Sequence, residues 1–543
     1  MLGCGGIRLC MSLTKTLAGR SSLLAFLAGC VAVTVGVLLH LPMFWMARDM
    51  GFHLAGMPMD AGMIFGMFLI VGGIAVAAYG LLPQNVSAQI AASRHISVAA
   101  PEDAPLSFAH WGLMVVLVMA LVIDVMKPAS LGFVMPGMVK EYGVPEAHAA
   151  LVPFFALMGT VVGSVVWGVI ADIYGRKASI LLSAIMFVGT SICGAMPSLA
   201  WNIGMCFLMG AAAGGMLPVT YALLAETMPS KHRGWALVLV GGLGAAGGYF
   251  AASGFSAWLQ PYFGWRILWL INLPTGLALV AMGGMIPESA KFLIARGRNA
   301  EAQAVMARFG TVRHTLAENE EEFDFIPHHS APHPKGSLMA KGYLGKTAAL
   351  SIAAVAWGLI NFGLLLWLPA DLVNKGHSMA VSSELLAQSA LIAFPTVFFV
   401  AFLYSRWSTK GALVSMVVIT LLGLVGVLLL DQHADLSPVI PIALLIIGSN
   451  GILAILLPYA AESYPLNIRG RATGWVAACS KLGGLLAQTL SILALVPPLG
   501  TIAVLITVPI LFALVLILWF GTETRGLDLR ALEPQLQATA ETT

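Results

Sequence analysis

The chain has 543 residues, of which 59% are hydrophobic and only 10% charged, and its formal net charge is +3. Soluble domains normally carry about a quarter charged residues, so this composition excludes an ordinary water-soluble fold. The small net charge, without a basic stripe between aromatic residues, argues against a nucleic-acid partner. Long apolar runs separated by short charged loops instead predict an all-α protein that crosses a lipid bilayer many times.

Fourteen apolar stretches are long enough to span a bilayer as helices. Two lie at the front, followed by six, by a long polar segment and by six more: 21–46, 61–82, 111–137, 150–171, 178–196, 201–225, 235–257, 266–286, 347–370, 386–404, 411–430, 438–461, 472–494 and 500–520. Arg8, Lys15 and Arg20 would also suit a signal peptide. Because the first stretch continues from Ser21 to about Met46, beyond the usual apolar region of about 7–15 residues, we expect a retained helix.

Lysine and arginine predict the orientation, because cytosolic loops are enriched in them. With both termini cytosolic, alternating spans place 22 basic residues inside and 4 outside. The expected location is a cell (inner) membrane. The expected organisation, in chain order, is a two-helix N-terminal membrane extension (1–108), a first six-helix bundle (109–286), a cytosolic linker (287–346), a second six-helix bundle (347–521) and a cytosolic tail (522–543).

The linker is expected to begin with an amphipathic helix from Ala290 to Phe309. The acidic stretch 318–324 and a segment with three histidines then indicate a solvated loop, with adventitious metal binding at His328, His329 and His333 as the alternative. The six cysteines form no CxxC pair, so neither a disulfide framework nor a zinc site is predicted. We expect no metal and no cofactor.

An internal repeat follows the sixth span of the chain and the twelfth. The first copy is Glu226-x-x-Pro229-x-x-x-Arg233-Gly234, and the second, 236 residues later, is Glu462-x-x-Pro465-x-x-x-Arg469-Gly470. Many secondary carriers consist of two parallel halves related by an axis along the membrane normal. The Glu and Arg of each copy could pair at the cytosolic rim. Ordinary topology-setting charges are the alternative, but they do not explain why Glu, Pro and Gly recur together.

The loop between the fourth and fifth spans gives a second motif, Gly168-x-x-x-Asp172-x-x-Gly175-Arg176-Lys177. It resembles the signature loop of the major facilitator superfamily. Two further strings, Pro287-Glu288-Ser289-Ala290-Lys291-Phe292-Leu293 and Glu523-Thr524-Arg525-Gly526, resemble the sugar-porter-like branch, which includes sugar, organic-anion, aromatic-acid and nicotinate-type carriers. The resemblance covers roughly 110–530.

This resemblance implies the major facilitator fold of two six-helix bundles, here with two extra N-terminal transmembrane helices. It also implies a set of cytosolic latch residues that would stabilise one conformation: Gly168, Asp172, Gly175, Arg176, Lys177, Glu226, Arg233, Glu288, Glu462 and Arg469. The sequence departs from the family pattern in two places. The second-half signature loop is degraded at 405–411, and the seventh core helix ends in Trp367-Leu368-Pro369, as in aromatic-acid and organic-ion carriers.

Three ionisable residues fall inside predicted spans, where an unpaired charge costs at least about 2–3 kcal/mol. Asp124 and Lys127 share one helix face in the first core span, because they are three residues apart. Asp124 would carry a coupling proton, or would form a structural pair with Lys127. Lys481, in the eleventh core span, would attract a carboxylate substrate with help from Lys127, or would extend towards the cytosolic interface.

Polar and aromatic side chains in other spans are weaker candidates for substrate contact. Each could orient a planar substrate or could equally hold helices together. The set comprises Thr220, Tyr221, Trp357, Asn361, Gln388, Asn450 and Gln488.

The sequence therefore predicts a secondary active transporter that works by alternating access, with proton-coupled uptake of an organic anion or aromatic acid. Its expected partners are a small-molecule substrate, protons and the lipid bilayer. Three alternatives remain: a sugar or neutral-solute facilitator, a drug or metabolite exporter, and a non-transporting membrane sensor. An enzyme is not expected, because no P-loop and no Ser/His/Asp set is present.

Overall fold

Long apolar helices make up nearly all of the described chain. The computed structural model describes residues 20–82, 97–99, 105–295, 297–314, 338–376, 378–432, 437–464 and 466–525. Within these ranges, twelve helices are long and apolar enough to cross a membrane, so the predicted total of fourteen spans is not confirmed. At the two other predicted positions the chain forms the shorter apolar helix Ile267–Met282 and a helix, Leu466–Ile492, that carries Arg471 and Lys481.

The front of the chain forms a helical hairpin from α1 (Arg20–Leu38) and α2 (Ala61–Leu81). The connection contains two short helical turns, Leu41–Met46 and Ala47–Met50. Asp60 caps α2 by accepting the Met63 N–H at 2.7 Å. A Cβ on Gly36 would lie 2.6 Å from the Gly66 carbonyl oxygen, so the hairpin packs backbone against backbone.

The first bundle follows the pattern that the sequence predicts, with interruptions near its glycines. Its main helices are α3 (Phe108–Tyr142), α4 (Leu151–Tyr174), α5 (Arg176–Gly189), α6 (Leu199–Ala213), α7 (Met216–Thr227), α8 (Ser230–Phe263) and α9 (Asn272–Met282). Shorter turns occur at Glu146–Ala149, Thr190–Ala195 and Ile267–Leu270. The fourth core span is thus divided between α6 and α7, because Gly214 and Gly215 interrupt it.

The described part of the linker is more structured than a single helix. It contains α10 (Ala290–Ala295) and α11 (Asn299–Phe309), separated at Gly297, whose φ of +69° suits glycine. β1 (Ser97–Ala99) pairs antiparallel with β2 (Val312–His314). This short sheet joins the N-terminal segment to the linker, and the fold is otherwise helical, as predicted. The stretch 318–324 and His328, His329 and His333 lie outside the described residues.

The second bundle repeats the order of the first. Its helices are α12 (Lys341–Leu359), a π-helical turn (Ile360–Leu364), α13 (Leu365–Asn374), α14 (Met379–Phe402), a second π-helical turn (Leu403–Trp407), α15 (Thr409–Gln432), α16 (Val439–Ser463), α17 (Leu466–Ile492) and α18 (Leu499–Phe520). The two bundles meet where α8 packs on α14 and α16, α3 on α13, and α4 on α17. One large cluster of buried apolar side chains runs through both bundles, and a second joins the front hairpin to α4 and α5.

A buried ion pair fastens the front hairpin to the first bundle. Arg266 Nη2 lies 2.7 Å from Glu141 Oε1, and both side chains are almost completely buried. The same carboxylate oxygen accepts the backbone N–H of Leu54 at 2.7 Å and that of Ala55 at 3.0 Å. One carboxylate thus satisfies a buried guanidinium and two N–H groups of the hairpin loop, which fixes that loop on the ends of α3 and α8.

Substituting Glu141→Ala should therefore destabilise the protein, because the substitution leaves the Arg266 charge buried and unpaired. Breaking such a pair typically costs about 3–5 kcal/mol. We expect a lower thermal unfolding temperature in detergent, and Glu146→Ala, at an exposed position of the following loop, is the matched control. Equal unfolding temperatures for the two variants would contradict this account of the hairpin attachment.

Candidate functional site

Lys127 is enclosed within the first bundle. Its ammonium group donates to the Phe187 carbonyl oxygen at 2.7 Å and to Thr190 Oγ1 at 2.8 Å, and it lies 3.2 Å from the centroid of the Phe187 ring. The side chain has no measurable exposure. These contacts favour a structural role for Lys127 over the predicted help in attracting substrate.

Asp124 faces the boundary between the bundles. The residue is buried, and its Oδ1 atom has no hydrogen-bond partner among the described residues. The ammonium group of Lys127, one turn along the same helix, is held by the Phe187 carbonyl oxygen and Thr190 Oγ1. The described ion pairs do not include Asp124 with Lys127, so the structural pair stays a prediction.

Lys481 lies beside an aromatic pair rather than extending away from it. Its Nζ atom is 5.7 Å from the centroid of the Phe362 ring, and the Phe362 and Trp357 rings meet edge to face at 5.6 Å. Asn361 and Phe362 belong to the π-helical turn of 360–364, a feature that often marks functional sites. The structure therefore brings a carboxylate, an ammonium group and two aromatic rings together between the bundles.

Of the remaining candidates, Tyr221 and Asn450 lie against α8, whereas Gln388 is exposed. Tyr221 packs against α8, where a Cβ on Gly241 would lie 1.8 Å from its hydroxyl, and Asn450 lines a small cavity with Gly242. The Asn450 amide nitrogen and the Trp357 indole N–H have no partner among the described residues. Gln388, by contrast, is exposed and bonds Glu384 at 3.3 Å, so the structure does not bring it to the site.

Sequence reasoning missed Phe362 as a candidate, and it did not single out the buried hydroxyl of Tyr249. The Tyr249 hydroxyl is buried without a partner among the described residues, and its ring lies 6.0 Å from that of Phe133. An aromatic residue in an apolar helix looks like ordinary core. Only the neighbouring Asn361 gave a signal for Phe362.

At the predicted cytosolic face, Glu288 caps the start of α5. Its Oε1 atom accepts the N–H groups of Arg176 at 2.8 Å, Lys177 at 3.3 Å and Ser289 at 3.0 Å. Burial raises the pKa of Glu288, and these N–H groups partly offset the effect. Arg176 in turn lies 3.2 Å from Glu226. The signature loop, the first repeat and the string that begins at Pro287 thus form one cluster, while the side chain of Asp172 lies outside the described part.

The second half has an equivalent cluster built on different residues. Glu523 accepts the Thr409 N–H at 2.9 Å and the hydroxyls of Thr409 and Ser408 at the start of α15. Burial alone would raise the pKa of Glu523, but these hydrogen bonds lower it to about 2. The degraded loop of 405–411 therefore still receives a carboxylate cap.

Glu462 of the second repeat touches the first half. It accepts the Tyr404 hydroxyl at 2.6 Å and the Thr524 hydroxyl at 2.9 Å, and a Cβ on Gly234 would lie 2.8 Å from its Oε1 atom. The glycine of one repeat thus contacts the glutamate of the other. Arg233 has further interactions, and the side chain of Arg469 lies outside the described residues.

Metal ligands do not cluster in the described ranges, where no group of three or more His, Cys, Asp or Glu residues could hold an ion. Cys30, Cys193, Cys206 and Cys479 are free thiols. The candidate site consists of Asp124 and Lys481 together with the rings of Phe362 and Trp357.

Comparison with known proteins identifies the family. The profile of the Major Facilitator Superfamily matches residues 111–488. The chain belongs to this superfamily. Among solved structures, the proton:xylose symporter XylE bound to 6-bromo-6-deoxy-D-glucose matches this major facilitator protein with a TM-score of 0.62 and 15% identity, covering 79% of this chain and 99% of that one. The match to the family profile begins at residue 111, in α3, so the front hairpin lies outside that match.

Curated relatives of this major facilitator protein carry transporter names. The niacin transporter NiaP of Acinetobacter baylyi is 27% identical over 442 residues, which cover 79% of this chain and 98% of that protein. The 4-hydroxybenzoate transporter PcaK of the same organism is 26% identical, over 74% of this chain and 88% of its own. The protein is accordingly an integral membrane carrier and not an enzyme.

The signature loop allows a matched test of its two glycines. Gly175 has a φ of +99°, and a Cβ there would lie 2.6 Å from Glu288 Oε2, whereas a Cβ on Gly168 meets no atom within 4 Å. Gly175→Ala should therefore cost about 1–3 kcal/mol through backbone strain and should displace Glu288. Gly168→Ala should leave stability unchanged or slightly higher. Thermal unfolding of both variants checks this, and equal effects would show that Glu288 does not depend on the turn.

Proposed function

We propose that the protein takes up a small organic anion, an aromatic carboxylic acid, together with protons and by alternating access. The proposal is carried by a buried carboxylate on the first bundle, Asp124, whose Oδ1 atom has no hydrogen-bond partner among the described residues, together with the Lys481 ammonium group beside the Phe362 ring on the second. An acid and a base at the boundary of two moving halves can bind an anion and a proton and pass both across the membrane.

Lys481 would bind the substrate carboxylate. A carboxylate that enters the bilayer needs an opposite charge, and Lys481 is half-buried with its ammonium group beside Phe362. Phe362 and Trp357 would contact the flat face or edge of an aromatic ring. The names of the relatives support this substrate class, since niacin and 4-hydroxybenzoate are both aromatic carboxylates.

Asp124 would carry the proton. When a substrate carboxylate reaches Lys481, two carboxylates share one ammonium group, and their mutual repulsion favours a proton on Asp124. A neutral Asp124 with a paired substrate leaves no net charge on these three groups. The bundles could then rearrange without exposing an unpaired charge to lipid.

The cytosolic latch residues would stabilise one arrangement of the halves. Glu288 and Glu523 cap α5 and α15, Arg176 holds Glu226, and Gly234 meets Glu462. Separation of the halves at this face would break the contact between Gly234 and Glu462 and leave the caps within each half intact. The caps would then act as rigid corners and the Gly234 contact as the part that opens.

The proposal also includes fourteen spans, with both termini on the cytosolic side of an inner membrane, and the five segments given above. Ile267–Met282 and Leu466–Ile492 supply the two spans beyond the twelve. Packing of α17 against α12 and α4 would permit Lys481 at membrane depth, because its ammonium group lies beside the Phe362 ring, whereas Arg471 is exposed near the start of the helix.

Single cysteines placed in a cysteine-free background test this topology. Residues 49 and 146 should react with a membrane-impermeant maleimide in intact cells. Residue 231, in the first repeat, and residue 471, directly after the second, should react only in inverted vesicles; all four positions are exposed. Labelling of 231 and 471 from opposite sides would contradict two parallel halves. Labelling of 49 and 146 from opposite sides would contradict fourteen spans.

Uptake of radiolabelled benzoate into proteoliposomes with an imposed pH gradient tests the transport function. Asp124→Asn should abolish gradient-driven accumulation but retain exchange of external for internal benzoate. Lys481→Met should raise the benzoate concentration at half-saturation, on the order of 10- to 100-fold, in both accumulation and exchange, because a charge-assisted contact is lost.

Three outcomes, measured in proteoliposomes or in cells, would contradict the proposal. Gradient-independent uptake of a sugar, unaffected by Asp124→Asn, would identify a facilitator. Greater accumulation in cells that lack the protein would identify an exporter. Binding without flux in sealed vesicles would identify a sensor.

A further inference from the structure

The position of the Phe362 ring depends on a glycine of the opposite helix. A Cβ on Gly484 of α17 would lie 2.7 Å from Phe362 Cδ2 and 3.1 Å from Leu157 Cδ1. The first distance is closer than real Cβ contacts allow, so any side chain at 484 would push the ring away. Phe362 occupies its place because Gly484 leaves that space empty.

A hydrogen bond from the same helix fixes the backbone of Phe362. The side-chain amide of Gln488 donates to the Phe362 carbonyl oxygen, and Gln488 is fully buried. Gln488 lies one turn after Gly484, so both residues are on the face of α17 that meets the π-helical turn. One helix therefore supplies the space for the ring, the hydrogen bond to its backbone and, three residues before Gly484, the ammonium group of Lys481.

We infer that Gly484 and Gln488 are positioning residues that hold Phe362 as the aromatic wall of the substrate site, and that this wall selects a planar aromatic acid over an aliphatic acid of equal size. The inference rests on the proposed function, because it assigns the substrate class of that same site. Lys481 attracts either carboxylate, so its charge alone cannot distinguish them. The distinction comes from ring contact with Phe362, whose ring also meets that of Trp357 edge to face.

Benzoate and cyclohexanecarboxylate form a suitable pair of probes, because they share the carboxylate and the six-carbon ring and differ in aromatic character. The quantity to measure is the ratio of kcat/KM for the two acids in proteoliposome uptake. The wild-type protein should favour benzoate. Gly484→Ala, Gln488→Met and Phe362→Leu should each reduce that ratio, on the order of three- to tenfold, while uptake of cyclohexanecarboxylate persists.

The chain offers matched controls for two of these variants. Gly474→Ala adds the same methyl group to the same helix, where no atom lies within 4 Å. Gln388→Met makes the same exchange at an exposed glutamine whose hydrogen bond, within the described part of the chain, is to Glu384. Both controls should retain the wild-type ratio. If Gly484→Ala fails to fold because of its contact with Leu157, Gln488→Met and Phe362→Leu still decide the question.

The outcomes separate this inference from the function on which it rests. Proton-driven uptake of both acids with an unchanged ratio in all three variants would overturn the role of the aromatic wall and leave the carrier function standing. If neither acid moves in the wild-type protein while the protein remains folded, the proposed function fails and the inference fails with it. A reduced ratio in the three variants, with both controls at the wild-type value, supports the inference.

Discussion

An ionised side chain at the centre of a bilayer has no water to solvate it, so it must find an opposite charge, a set of hydrogen bonds or a proton. Lys127 meets this constraint within its own bundle, through the Phe187 carbonyl, the Thr190 hydroxyl and the Phe187 ring. Asp124 does not, because its Oδ1 atom has no hydrogen-bond partner among the described residues, and the cation proposed to neutralise it, Lys481, belongs to the other bundle. The boundary between the halves is thus the place where charge neutrality depends on their relative position, and the proposed coupling follows from that dependence.

The two halves keep the same physical solution at the predicted cytosolic face with different residues. In the first half the full signature loop turns at Gly175, and Glu288 caps α5. In the second half the loop has lost its motif, yet Glu523 caps α15 through Ser408 and Thr409. A helix start needs acceptors for its free N–H groups, and a carboxylate from the end of each bundle provides them. The two halves therefore keep the same carboxylate cap although they do not repeat the same residues.

The sequence predicted those features that depend on local composition. The positions of the twelve spanning helices followed from apolar length, the repeat of the fold from the recurring Glu-Pro-Arg-Gly string, and the family from the signature loop. It could not predict side-chain contacts: Lys127 binds the Phe187 carbonyl and the Thr190 hydroxyl of its own bundle, whereas Asp124, three residues earlier on the same helix, keeps one oxygen without a described partner. Gln388 and Gln488 looked alike as amides in apolar helices, and only tertiary packing shows that one is exposed and the other holds Phe362. The π-helical turns and the two-stranded sheet also depend on contacts between distant segments, which periodicity does not encode.

The buried carboxylate of Glu141 has a mechanical consequence. It joins the hairpin loop at Leu54 and Ala55 to the ends of α3 and α8, and the apolar faces of α1 and α2 pack on α4 and α5. When the first bundle rotates, α1 and α2 must therefore move with it. The first bundle then meets greater viscous resistance from the lipid than the second bundle does. During alternating access the first bundle would then move little, and the second bundle, which carries no additional helices, would undergo most of the rotation.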